Sequence, residues 1–214
     1  MCNRNKDGNP YWVDTTIVPV PGSRGDNVRF VSTRYEITER TRVEAELRRI
    51  AEVDPLTGLA NRVRFNHDLK QRLFASINGN DRSGGVDAMC DLDHFKDLND
   101  ALGHNAGDLL LKEIGRRLLV FAGPNCLVAR PGGDEFAALI PAELIGDDVE
   151  NFLRDTHKFA SEAVSLGDTI YVPSFSMGVT LYLGDAETVQ CLMINADMAL
   201  YEAKRNGRNQ WCFF

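Results

Sequence analysis

The sequence predicts an α+β protein: a mixed, mainly antiparallel five-stranded sheet flanked by helices, preceded by a β-hairpin and a connecting helix. Three observations predict it. Short β-branched and apolar runs alternate with stretches whose apolar residues recur at helical spacing. Two of the strand-like runs, residues 126–129 and 136–140, are separated only by Arg130-Pro131-Gly132-Gly133-Asp134-Glu135, which reads as a tight hairpin in the middle of the chain. Hydrophobic residues make up 43% of the 214, enough for a core, and no run approaches the length of a membrane span.

The elements follow in order. Residues 11–19 alternate and are rich in β-formers, residues 22–26 (Gly22-Ser23-Arg24-Gly25-Asp26) form a turn, and residues 28–35 make a second strand. A two-stranded hairpin is marginal alone in water. A helix is expected over residues 38–53, with Thr38 as N-cap and Glu39 in its first turn. Its stripe of Val43, Leu47 and Ile50 has two readings: a helix packed on its own domain, or a parallel coiled coil joining two chains. Asp54-Pro55 ends it. Asn61 caps a second helix carrying Phe65, Leu69, Leu73 and Ile77 on one face. A loop over residues 78–85 leads to a buried strand over 86–92. A helix starting at Asn105 or Gly107 turns Leu111, Ile114, Leu118 and Phe121 inward. After the central hairpin come a helix over 147–163 with Phe152, Phe159 and Val164 on its apolar side, and a long strand over 170–183 containing Gly178. A helix over 188–205 uses small residues, Ala196, Ala199 and Ala203, to approach a sheet closely. Residues 210–214 close as an edge strand. The expected domains are therefore 1–37, 38–53 and 54–214.

The net charge of −7 argues against broad binding to nucleic acid or acidic lipid, which need a basic surface. It does not exclude a nucleotide, whose phosphates a metal and a few local cations can offset. The five cysteines show no metal-ligand spacing and read as reduced cytoplasmic thiols. The first residues are polar, so no signal peptide is expected.

Asp91 and Asp93 are two apart, which on a strand puts both on one face. An acid at this strand end, together with Asp134 at the hairpin tip, would form a hard-oxygen site suited to Mg²⁺. The glycines Gly132 and Gly133 would let a ligand approach the turn's backbone. An isolated Gly-Gly-acid turn is ordinary turn chemistry, and an isolated Asp-x-Asp is an ordinary solvated strand end.

Five stretches change that weighting: Asp54-Pro55-Leu56-Thr57-Gly58-Leu59; Asp91-Leu92-Asp93-His94-Phe95-Lys96 with Asn99-Asp100; Gly103-His104 with Gly107-Asp108; Arg130 through Phe136; and Tyr201-Glu202-Ala203-Lys204 with Gly207-Arg208-Asn209. Together they resemble the GGDEF family of bacterial diguanylate cyclases, from Asp54 to the end of the chain. The resemblance implies a palm-like nucleotidyl-cyclase fold and an enzyme that condenses two GTP into cyclic di-GMP and two pyrophosphates, at the interface of a two-fold homodimer. It implies Mg²⁺, with Mn²⁺ as an alternative, held by Asp91, the Leu92 carbonyl, Asp134 and Glu135. The catalytic set would be Asp134, Lys96 and Glu135. Asp134 matches the proposed proton acceptor, although a metal-bound carboxylate is a poor base, so its metal role is the firmer one. Asn99, His104 and Asp108 match the guanine-binding positions, Lys204 and Arg208 the phosphate contacts, and Phe95 is a further GTP-binding position. Bland readings stand beside these: a helix C-terminus attracts cations such as Lys204 anyway, Asp108 suits a first helical turn, and His104 could cap a loop.

Two departures matter. The Arg-x-x-Asp product-inhibition site of many members is replaced by Gly123-Pro124-Asn125-Cys126, so no such site is expected. Pro131 stands where an aromatic or small residue is usual, fixing φ and removing an N–H at the hairpin. Residues 6–40, from Lys6-Asp7-Gly8 to Glu36-Ile37-Thr38-Glu39-Arg40, resemble the last third of a PAS sensor domain, so an upstream sensor would be missing. The alternative readings are a catalytically silent GTP-binding module, a cyclic di-GMP receptor, and a cyclase or polymerase palm of another type.

Overall fold

The computed structural model describes residues 2–4, 6, 10–21, 28–77, 84–145, 148–182 and 188–214. The expected turn at 22–26, most of the loop at 78–85, Asp147 and Leu183 lie outside them. The chain forms two compact units, Met1–Ile50 and Ala51–Phe214.

In the first unit, β1 (Cys2–Arg4), β2 (Pro10–Pro21) and β3 (Val28–Glu36) make an antiparallel sheet in the order β1-β2-β3. The expected hairpin thus gains a short third strand. Helix α1 (Thr38–Glu52) begins at Thr38 itself, one residue earlier than an N-cap at that position would place it. The Thr38 hydroxyl accepts from the Trp12 N–H at 3.0 Å and donates to Glu36 Oε1 at 2.8 Å, pinning the start of the helix to the hairpin.

The second unit is built on a five-stranded sheet in the order β10-β9-β4-β6-β5. Its strands are β4 (Gly85–Leu92), β5 (Leu127–Gly132), β6 (Glu135–Pro141), β9 (Phe175–Tyr182) and β10 (Trp211–Phe213). All neighbours are antiparallel except β10, which runs parallel to β9. The expectation of a mixed, mainly antiparallel five-stranded sheet flanked by helices holds.

Alternation along β4 decides which helices cover which face. Val86, Ala88, Cys90 and Leu92 join one core with Leu110, Leu111, Ile114 and Leu118 of α4 (His104–Ala122) and Leu153 of α6 (Val149–Ala160). Met89 joins the other, with Phe65, Leu69 and Leu73 of α2 (Arg62–Ile77) and Leu192, Ala196 and Leu200 of α7 (Val189–Arg205). Asn61 caps α2 as expected, its Oδ1 accepting from the N–H groups of Val63 and Arg64. Helix α7 approaches β9 so closely that a Cβ on Gly178 would lie 2.0 Å from the Ala196 carbonyl oxygen.

Three boundaries differ from expectation. The long strand at 170–183 is two: Pro173 interrupts it, and β8 (Thr169–Tyr171) pairs instead with β7 (Val164–Leu166). Helix α6 stops before Val164, which belongs to β7, and Leu153 and Ala160 are its deeply buried residues. Helix α4 begins at His104, because Gly103, at φ 83°, turns the chain out of α3 (Phe95–Leu102) without a spacer. A short helix α5 (Ala142–Ile145) follows β6.

Candidate active site

The end of β4 meets the β5–β6 turn. Asp91 lies opposite Glu135 in register, and the Leu92 N–H donates to the Asp134 carbonyl at 3.2 Å. Carboxylates more than forty residues apart in sequence are thereby sewn to one end of the sheet. On the other side, Asp91 pairs with Ser176 of β9 in register, and Lys204 of α7 reaches Asp91 Oδ1 at 2.7 Å.

The electrostatics follow from the crowding. Burial raises the Asp91 carboxyl above the ordinary range. Lys204 opposes the shift, and the charges of Asp134 and Asp93 reinforce it. Burial, then Asp91, Asp134 and Asp197, raises Glu135 too, with Arg62 opposing. Like charges gathered this closely call for a cation. Among the described residues no three His, Cys, Asp or Glu side chains converge as a ready-made cage. The expected set counts three carboxylates, Asp91, Asp134 and Glu135, and their side chains are not drawn together as one such group; its remaining ligand would be the Leu92 backbone carbonyl. Its donors are all oxygens, which fits Mg²⁺.

The hairpin turn is braced by residues that the sequence reading quoted without a role. Arg130 donates to both carboxylate oxygens of Asp54, at 3.1 and 3.0 Å, and to the Gly133 carbonyl. Asp54 also accepts from the N–H and hydroxyl of Thr57. Burial works against the Asp54 charge, but Thr57 and Arg130 outweigh it and hold the carboxyl below its usual range. The Asp54–Leu59 loop and the Gly-Gly turn are thus one structure. Pro131 causes no difficulty. It falls within the register shift between Ala129 and Gly132, on the outermost strand, where no regular ladder bond is required.

Helices α3 and α4 carry the expected guanine-binding positions. Asn99 lies over Gly107, where a Cβ would come 2.1 Å from Asn99 Oδ1 and 3.0 Å from the Phe95 ring. Asn99 Oδ1 is buried without a hydrogen-bond partner. His104, Asp108 and Lys96 are exposed, and among the described residues none of them forms an ion pair.

One expectation changes. Asp93 does not share a strand face with Asp91: β4 ends at Leu92, and Asp93 is buried, accepting from the Ser176 hydroxyl and the Asn209 N–H. The Arg208 Nε lies 4.0 Å from Asp93 Oδ1. Among the described residues no helix is long and apolar enough to cross a membrane.

Fold and site together define the architecture of GGDEF domains, a mixed five-stranded sheet flanked by helices. The chain belongs to the GGDEF family: the profile described as "Diguanylate cyclase, GGDEF domain" matches residues 51–210. Over 177 residues it is 41% identical to the bifunctional diguanylate cyclase/cyclic di-GMP phosphodiesterase MucR of Pseudomonas aeruginosa, which covers 83% of this chain and 25% of MucR. The chain therefore spans a quarter of that relative's length. It is similar to the coiled coil and GGDEF domain of DgcB from Caulobacter crescentus, solved with c-di-GMP, at a TM-score of 0.71 and 31% identity over 82% of this chain and 93% of that one. It is also similar to the diguanylate cyclase SiaD of Pseudomonas aeruginosa, solved with its activator SiaC, at a TM-score of 0.72 and 32% identity, covering 82% and 66% of the two chains.

Proposed function

We propose that the chain is an active diguanylate cyclase. In each half-reaction the 3′-hydroxyl of one GTP gives up its proton, its oxygen forms a bond to the α-phosphorus of the partner GTP, and the bond from that phosphorus to the departing pyrophosphate breaks. Two such steps close cyclic di-GMP and release two pyrophosphates. A two-fold product suits two identical half-sites facing each other across a two-fold axis.

The observation that carries this reading is the Leu92–Asp134 hydrogen bond with the Asp91–Glu135 register. It sets the strand-end acid and the turn acids around one region, in keeping with the family's metal site. Asp91, the Leu92 carbonyl, Asp134 and Glu135 would hold Mg²⁺, with Mn²⁺ as the alternative. The bound cation would offset triphosphate charge and lower the pKa of the attacking hydroxyl. Lys204, already bonded to Asp91, would be shared with a phosphate, and Lys96 and Arg208 would supply further positive charge. Asn99, whose Oδ1 has no partner in the folded chain, would add a bond at the N2/N3 edge of guanine, and Asp108 would accept from N1–H and N2. Adenine presents an acceptor at N1 and would leave that carboxylate unpaired. His104 and Phe95 would complete the base pocket. With Gly123 and Cys126 in place of the Arg and Asp of the inhibitory motif, product would not bind tightly there. Helix α1 would transmit control from an upstream sensor.

Incubation with GTP and Mg²⁺ tests the reading. Pyrophosphate and cyclic di-GMP should appear together, and Asp134→Ala should lower the rate by about 10²–10³-fold or more. A folded wild-type dimer that makes neither product would refute it.

A further inference from the structure

Asp93 is the acid that the proposed chemistry leaves unused, and its surroundings are those of a clamp. Its side chain is fully enclosed, with 0% exposure. Oδ1 accepts from the Ser176 hydroxyl at 2.9 Å, and Oδ2 accepts from the Asn209 backbone N–H at 3.0 Å. Its own N–H donates to the Ser174 carbonyl at 2.9 Å. One carboxylate thus joins the end of β4, the start of β9 and the segment that leaves α7.

That segment needs holding. Gly207, Arg208 and Asn209 have φ values of 113°, 64° and 49°. Two successive non-glycine residues in the left-handed region are disfavoured by their Cβ atoms and persist only where surrounding bonds fix them. The Arg208 N–H donates to the Ala203 carbonyl at 3.1 Å, which ends α7. The Asn209 N–H is fixed by Asp93 instead. The Arg208 guanidinium, half exposed, lies 4.0 Å from the same carboxylate.

We infer that Asp93 is a positioning residue for phosphate recognition. It holds the wrap at residues 207–209 in its strained form, and so presents the Arg208 guanidinium beside the end of β4, where Asp91 and Lys204 already meet. It touches no substrate and acts through Arg208. The inference rests on the cyclase reading for the identity of the phosphate.

Asp93→Asn tests it. An amide there removes the charge: its oxygen can accept from the Asn209 N–H only while its NH2 donates to the Ser176 hydroxyl, so the hold on Asn209 drops from a charged to a neutral hydrogen bond. GTP affinity should fall about tenfold while guanosine affinity stays as in the wild type. In an Arg208→Ala background the same substitution should weaken GTP binding less than about twofold, since coupled groups are not additive. Asn209→Gly, which removes the Cβ cost of the left-handed conformation, should restore part of the lost affinity to Asp93→Asn. Should Asp93→Asn not fold, Ser176→Ala loosens the same carboxylate more gently. It should weaken GTP binding about threefold, and only when Arg208 is present. Wild-type affinity in these variants, additive losses with Arg208→Ala, or a parallel loss of guanosine binding would overturn the inference alone. A wild-type protein that does not bind GTP more tightly than guanosine would overturn the cyclase reading and this inference together.

Discussion

At the scale of single residues, Asp87 departs furthest from ordinary acid behaviour. It has no solvent exposure, and neither carboxylate oxygen has a hydrogen-bond partner. Thr180, opposite it in register on β9, likewise has a buried, unpartnered hydroxyl. Burial, reinforced by the Asp197 charge, pushes the Asp87 carboxyl up from 3.8 to about 7. The folded chain therefore keeps a proton that the unfolded chain releases near pH 4. Stability falls as pH rises from about 4 to 7, and above pH 7 the full penalty, about 4 kcal/mol, applies. Asp87→Leu should raise the unfolding free energy at pH 8 by several kcal/mol and by far less at pH 5. Denaturant midpoints at the two pH values check this. Gly107 offers a second test. An alanine Cβ there would displace the Asn99 side chain, so Gly107→Ala should raise the KM for GTP about tenfold, read in steady-state turnover, with little loss of thermal stability.

Two contacts matter at the scale of elements. Helix α7 rests on β9 through Gly178, where a Cβ would strike backbone atoms of Ala196 and Leu200 at 2.0 and 2.3 Å. A helix backbone cannot yield as a side-chain tip can. Gly178→Ala should therefore cost about 1–3 kcal/mol, measured by denaturation, and lower activity by shifting Lys204. The other contact is the Arg130–Asp54 brace, which joins the loop after α1 to the hairpin turn. A lysine cannot supply the planar fork that grips both Asp54 oxygens and the Gly133 carbonyl. Arg130→Lys should reduce turnover at least tenfold while the melting temperature changes by only a few degrees. A loss of stability that matched the loss of turnover would mean the brace serves only the fold.

At the scale of the whole molecule, the proposed reaction needs two chains, and α1 carries the residues that would join them. Val43, Leu47 and Ile50 are 49%, 60% and 63% exposed in the single chain. If the stripe pairs two copies, Leu47→Glu with Ile50→Glu should yield a monomer by sedimentation, with turnover that recovers as protein concentration rises. Unchanged sedimentation and turnover would favour the helix packed on its own domain. Much of this molecule was legible from residue order alone. Strand alternation, helical spacing, the Asn61 cap, the small residues of α7 and the Gly-Gly-Asp-Glu turn are local patterns, and local patterns report local structure. They predicted the five-stranded sheet and chose the acids worth watching. Other features were not legible, because they depend on which distant segments touch. The same carboxylate chemistry serves Asp91 beside Lys204, Asp54 gripping Arg130, Asp93 tying down Asn209 and Asp87 buried without a partner. Nothing in an aspartate's neighbours along the chain says whether folding will give it a cation, a backbone N–H or nothing. Only the packing of α2, α7 and the Asp54–Leu59 loop around β4, β5 and β9 assigned those partners, because burial and pairing are properties of the folded arrangement.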